Sequence, residues 1–276
     1  MQVSCVQVLP MSPDRSLDPP PYTEYPPPPR LRPYVACFWR SSTRDLVRET
    51  TILPDGCIDL IWQSDREPFI AGPMTIPAST TAGQGETTLG IRFRPGAAAT
   101  LLGVSAAELR DLTVDVSRLW SQEGRRKARD LALANAAGLS LHDAASLVDT
   151  LRRQTGPGDR LISDACAWFA RHPGTTAADF IARSGLSERH ARRRFQEHVG
   201  YGPKTLQRIL RMQHVLWLMS RPAPPHSLAS LAQAAGYADQ AHLTREMRAL
   251  TGQLPTTLLA NNPQSAVADL FKTAGT

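Results

Sequence analysis

Two stretches of this 276-residue chain share one pattern, and that repeat limits the fold more than any other feature. The first is Gly185-Leu186-Ser187-Glu188-Arg189-His190-Ala191-Arg192-Arg193-Arg194-Phe195-Gln196-Glu197-His198-Val199-Gly200-Tyr201-Gly202-Pro203. Ser187 suits an N-cap, because its hydroxyl can accept from a free amide of the first helical turn. Ala191, Phe195 and Val199 recur every four residues and form one apolar stripe. Arg189, Arg192, Arg193 and Gln196 fall on the other side, while Arg194 points off that face toward a phosphate or an internal partner. Gly200 stops the helix and Pro203 opens the next.

The second stretch begins at Gly236-Tyr237-Ala238-Asp239-Gln240 and ends at Gly252-Gln253-Leu254-Pro255. From the cap onward it matches position for position. Asp239 stands for Ser187, the stripe becomes Leu243, Met247 and Thr251, and Arg245 stands for Arg193. Two copies of cap, stripe, basic face, Gly and Pro arise by chance far less readily than one. A short helical pattern precedes each copy, at residues 177–183 and 228–235. Short helix, Gly-containing turn, second helix with an exposed polar face: this is a helix-turn-helix unit, whose second helix can enter the major groove of DNA. Residues 204–220 form a long apolar-striped helix between the units.

Charge follows the repeat. The chain carries a formal net charge of +6. Residues 157–260 hold 13 Lys/Arg against 7 Asp/Glu, which leaves 18 against 18 elsewhere. Positive charge confined to one segment is the footprint of phosphate contacts.

Residues 160–260 resemble the DNA-binding domain of the AraC/XylS family of bacterial transcription regulators. The resemblance rests on Gly236, Tyr237, Asp239, Gln240, Leu243, Arg245, Gly252 and Pro255, with Met247 where the family usually has Phe. Methionine can fill the same core gap. The resemblance implies two helix-turn-helix units joined by a long helix, and double-stranded promoter or operator DNA as partner. It also implies bases read from Arg189, Arg192, Arg193 and Gln196 in the first unit. In the second unit the exposed face is Gln240, Ala241, Thr244, Arg245 and Arg248. Arginine can donate two hydrogen bonds to guanine and glutamine can read adenine, but either can serve phosphate alone. Activation is the family's more usual mode, and contact with RNA polymerase and a homodimer are further expectations. His190 and His242, at matching positions of the two copies, read as scaffold histidines rather than metal ligands.

The N-terminal half has a different texture. A proline-rich leader, residues 1–30, is expected to be extended and to end in Pro26-Pro27-Pro28-Pro29. Short strand patterns follow at 34–40, 46–53, 57–62, 69–72 and 89–93, separated by turn signals such as Pro54-Asp55-Gly56. They suggest a small β-barrel or sandwich, and 97–102 and 105–111 read as short helices. Residues 53–61 together with Gly90-Ile91-Arg92-Phe93-Arg94-Pro95-Gly96 resemble an N-terminal domain often fused to AraC-type DNA-binding domains, a cupin-like sensor of undefined ligand. Helical patterns at 125–137 and 141–153 would form a dimerisation surface or pack under the sensor. Asp55 reads as a turn residue, Asp59 as an outward strand position, and Arg92 and Arg94 as one solvated face.

The expected fold is therefore α+β in two domains. A leader (1–30) precedes a cupin-like sensor with accessory helices (31–156), an all-α DNA-binding domain (157–262) and a tail (263–276). All seven histidines lie at His142 or later, so the strands offer no imidazole for a metal-dependent cupin enzyme. Cys5, Cys37, Cys57 and Cys166 lack finger spacing, and the reading is of reduced cysteines. No catalytic residue, metal or cofactor is expected. Neither a signal peptide nor an apolar run of about 18 residues is present, and a cytoplasmic location without membrane contact is the expectation. Two alternatives remain open: a DNA-binding domain fused to an enzymatic or repair module, and a protein that binds DNA without sequence preference or only docks partners.

Overall fold

In the computed structural model the described residues are 22–42, 48–63, 66–82, 85–120, 140–156, 158–221 and 223–260. The leader up to residue 21, Cys5, the 125–137 helical pattern and the 263–276 tail lie outside them. The N-terminal half supplies strands β1 (Tyr22–Tyr25), β2 (Val35–Ser42), β3 (Arg48–Ile52), β4 (Ile58–Gln63), β5 (Arg66–Ala71), β6 (Ala78–Ala82), β7 (Thr87–Phe93) and β8 (Thr113–Asp115). Helices α1 (Ala98–Leu102), α2 (Ala106–Leu109), α3 (Val116–Leu119) and α4 (Leu141–Thr155) accompany them.

The barrel or sandwich expected here takes the form of two antiparallel sheets. One has strand order β1-β2-β7-β4-β5-β8, and the other pairs β3 with β6. Alternation along each strand sorts the side chains. Phe38, Leu60, Trp62, Ile70, Ile91 and Phe93 share one face and pack on Leu101, Leu102, Leu147 and Leu151 of the helices. The opposite face carries Cys37, Trp39, Ile61 and Phe69. β1 starts inside the proline-rich stretch, because Tyr22 and Glu24 have strand partners in Ser41 and Trp39. Leader residues 22–25 thus belong to the sheet.

The same opposite face corrects three readings. Asp59 does not point to water, and Arg92 does not line a solvated surface. Arg92 is 5% exposed, and its Nε and Nη2 donate to both carboxylate oxygens of Asp59 at 3.2 and 3.1 Å. Asp55 is also drawn in, with Oδ2 3.6 Å from Arg92 Nε. Alternation put Asp59 and Arg92 on one face, but only Glu24 of β1 and Asp55 of the 53–57 turn, brought from elsewhere in the chain, enclose Arg92 there. Arg94 leaves this cluster and donates from Nε to the Arg32 carbonyl at 2.7 Å.

The C-terminal half is all helix. It comprises α5 (Arg160–Arg171), α6 (Ala177–Ser184), α7 (Glu188–Val199), α8 (Pro203–Met219), α9 (Leu228–Ala234), α10 (Gln240–Thr251) and α11 (Pro255–Ala260). α7 and α10 start at the caps expected for them. Ser187 accepts from the His190 amide at 3.3 Å and Asp239 from the His242 amide at 2.6 Å. Thr176 with Asp179, and Ser227 with Ser230, form reciprocal capping boxes. Both apolar stripes are buried, and Phe169, Phe180 and Phe195 meet as tilted and edge-on rings with centroids 5.7 to 6.2 Å apart. Thr251, which replaces Val199, satisfies its hydroxyl by donating to the Met247 carbonyl at 2.7 Å.

Two further contacts fix the units. Asp159 caps α5 through the Ile162 amide and also takes a fork from Arg194 Nε and Nη2 at 2.8 and 2.6 Å. Arg194 is thus an internal strut. Gly236, in the turn of the second unit, has φ +75°, and a Cβ there would stand 2.6 Å from the Gly174 Cα. Both the conformation and the close approach demand glycine.

Two outcomes follow. Gly236→Ala should lower stability by about 2 kcal/mol or more in denaturant unfolding, through backbone strain and forced separation of the α5 exit from this turn. Asp159→Asn should cost about 2 kcal/mol at pH 7, the worth of a charge-assisted hydrogen-bonded pair. Burial pushes the Asp159 carboxyl up, but hydrogen bonds from Arg194 and Ile162 outweigh it and hold the group below its ordinary value. The stabilisation is therefore present above the ordinary carboxylate range and lost as pH falls through the depressed value. The gap between the two proteins should narrow below about pH 4.

Candidate nucleic-acid interface

The repeat predicts two helix faces, and the structure leaves both open. On α7, Arg189, Arg192 and Arg193 are exposed and Gln196 is half-buried. They border an open hollow of about 730 Å³ together with Ser187, Glu188 and His190. One helix end lines the whole hollow, so it does not enclose a small molecule as a ligand pocket does. Arg193 Nη2 rests 3.4 Å from His190 Nε2. Glu188, the acid on this end, sits in the first turn, where a carboxylate favours the helix dipole.

On α10, Gln240, Ala241, Arg245 and Arg248 are exposed and Thr244 is half-buried. Thr244 spends its proton on the Gln240 carbonyl at 2.8 Å, which leaves its oxygen able to accept. His242 is held edge-on against Tyr237, centroids 5.2 Å apart, which is a packing role.

Two acids beside these helices are engaged by internal arginines. Glu246 pairs with Arg208 of α8 at 2.5 Å, and Asp159 pairs with Arg194. Arg208 and Arg194 therefore serve architecture, and the cations left outside are those the apolar stripe turned outward. The Arg208–Glu246 pair also ties α10 to the long helix, and Arg211 ties the turn before α10 to it, its guanidinium 5.0 Å from the Tyr237 ring centre. Sequence reasoning missed Glu246 and Arg211 as positioning groups. Helical spacing placed Glu246 off the stripe, but only the packed helices bring Arg208 to it.

Nothing here resembles a metal or redox centre. Among the described residues no group of three or more His, Cys, Asp or Glu is placed to hold a metal ion. Burial pushes the Cys166 thiol far up, away from the reactive thiolate. No described helix is long and apolar enough to cross a membrane.

Comparison with known proteins agrees with this geometry. Residues 180–261 match a family described as a helix-turn-helix domain, and residues 23–115 match a domain of unknown function, DUF6597. The comparison with curated proteins found no match. Among solved structures, the 1.65 Å structure of ToxT from Vibrio cholerae is similar at 10% identity and TM-score 0.41, covering 81% of this chain and 98% of that one. ToxT bound to an unsaturated fatty acid is similar at 8% identity and TM-score 0.37, covering 78% and 94%. At such TM-scores the likeness carries no argument about this chain. The capped, doubled units with their open cationic faces and the matched family agree: the C-terminal part is an AraC-type helix-turn-helix domain, and the chain is a DNA-binding transcription regulator.

Proposed function

We propose that the chain reads a bipartite DNA site, with α7 and α10 each presented to the major groove, and that its N-terminal sheet domain controls the binding. The observation that carries this reading is the sorting of arginines on α7. Arg194 is consumed by Asp159 inside, while Arg189, Arg192 and Arg193 stay exposed beside one another. Arginine forks can take guanine O6 and N7, and each good pair contributes about 1–3 kcal/mol of discrimination. Arg189, Arg192, Arg193 and Gln196 are the base-reading set of the first unit. Gln240, Ala241, Thr244, Arg245 and Arg248 are that of the second, with more of its contacts on phosphate because its face is less basic.

The domain limits in this reading are the expected 31–156 for the sensor, extended back to Tyr22 by β1, and 157–262 for the DNA-binding half. A small-molecule effector acts on the sensor, a second copy of the chain completes the operator-bound form, and RNA polymerase is the target of activation. The protein works in the cytoplasm, where promoter DNA lies, and performs no chemistry of its own.

Selection of bound duplexes from a random pool tests the reading. Enrichment of a motif with two elements about one helical turn apart is expected. Arg192→Ala should relax preference at one element and Arg245→Ala at the other, each by about tenfold or more in affinity for the enriched duplex. Equal affinity for all duplexes, falling steeply with salt, would reduce the function to phosphate binding.

A further inference from the structure

The two sequence motifs of the N-terminal half, residues 53–61 and 90–96, form a seam that the DNA-binding role leaves unexplained. Their inner ends build the polar cluster on the second face of the large sheet. Their outer ends leave the sheet and enter the helical half. Leu53 is fully buried, yet it belongs to the helical core with Ile162, Leu206 and Ile209 rather than to the sheet's own core. The Pro54 carbonyl accepts from Gln213 Nε2 of α8 at 2.7 Å. Gly56, with φ +84°, comes so near α8 that a Cβ there would lie 3.1 Å from Leu206 Cδ1 and 3.6 Å from Tyr201 Oη. Gly96 stands likewise against Ile162 and Cys166 of α5.

Between these outer contacts and the sheet sits Asp55. Its Oδ1 accepts from the Cys57 amide at 2.8 Å, and its Oδ2 faces Arg92 at 3.6 Å. Arg92 is shared with Asp59 and with Glu24 of β1, whose Oε1 lies 3.6 Å away and accepts from Tyr22 at 2.9 Å. Trp39 Nε1 donates to Asp59 at 3.1 Å. One guanidinium therefore answers three carboxylates drawn from β1, the 53–57 turn and β4. A turn that only packed two halves together would not need a buried carboxylate, since an unpaired one is costly and an apolar residue is not. Across the seam, the Tyr201 hydroxyl is buried beside Gly56 with no hydrogen-bond partner among the described residues. The helical half is thus seated on this turn without being fully satisfied by it. Tyr201 directly follows the Gly200 stop of α7 and precedes α8, so the seat lies where the first DNA-reading helix ends.

We propose that the 53–57 turn is the transmission element between the two halves: Asp55 ties it to Arg92 on the sheet, and Leu53, Pro54 and Gly56 seat it against Tyr201, Leu206 and Gln213. A change in the polar cluster that weakens the hold on Asp55 shifts the turn, and the turn shifts the junction of α7 and α8. This rests on the reading that the sheet domain controls DNA binding and names the route. Coupling of this kind is reciprocal, so DNA bound at α7 must be felt at the turn.

Hydrogen exchange on the full chain tests it, with and without a duplex enriched from a random pool by the unaltered protein. Asp55→Asn keeps the size of the side chain and removes the charge that Arg92 holds. It should speed exchange of amides 201–213 by about tenfold or more. In the unaltered chain the duplex should change exchange at 53–57, and in Asp55→Asn that response should vanish. Gln213→Ala cuts only the hydrogen bond to Pro54; the same loss there, with sheet amides unchanged, excludes unfolding of the sheet as the cause. Unaltered exchange at 201–213 in both variants overturns the proposal. So does a 53–57 turn that is indifferent to bound DNA in the unaltered chain. If no duplex is enriched, the sequence-specific reading fails by itself, and a random-sequence duplex still decides the role of the turn by the same two comparisons.

Discussion

The burial of α8 is the constraint on which the rest depends. Leu206, Ile209, Met212, Val215, Leu216 and Met219 are fully buried, and their positions go round more than one side of the helix. A helix with a single apolar stripe can hold one neighbour. This one holds the first unit, the second unit and the 53–57 turn at once. It does so with polar side chains placed among the apolar ones: Gln207 donates to the Thr175 carbonyl at 2.6 Å, Arg208 meets Glu246, and Gln213 meets Pro54. Each of these groups gains a partner and thereby fixes an orientation that apolar packing would leave loose.

Rigid placement matters because DNA reading is geometric. A fork of donors discriminates bases only when it arrives at a defined depth and angle in the groove. The struts that set this are internal and carry no information about sequence. Asp159 holds α7 through Arg194, and Glu246 holds α10 through Arg208. The side chains proposed to carry information are the ones left outside. This division explains why a run of three successive arginines, 192–194, can hold two roles: the helical turn sends Arg194 inward and the others out.

The N-terminal sheet spends its two faces differently. One is apolar and closed by α1, α2 and α4. The other mixes Trp39, Ile61 and Phe69 with a buried guanidinium and its carboxylates. Polar groups of this kind stabilise less than an apolar core would, and they respond to charge. They sit at the root of the turn that reaches α8, which joins the responsive part of one half to the rigid part of the other.

The sequence by itself determined the helical half. Caps, four-residue stripes and glycine stops are local signals, and local signals decide where a helix begins, which side it buries and where it ends. The outward faces at Arg189, Arg192, Arg193, Arg245 and Arg248 were therefore legible without coordinates. Tertiary structure decided the rest. β1, β6 and β8 are short segments whose own patterns are too brief to announce a strand, and only pairing with β2, β3 and β5 makes them strands. The fate of Asp55, Asp59 and Arg92 was hidden for a related reason. Alternation says which residues share a face, but whether that face meets water or protein depends on chain segments far away in sequence. The 53–57 stretch read only as a turn on the same grounds. Only the arrival of α8 made it a buried contact, because burial belongs to the assembled fold and not to any one stretch of it.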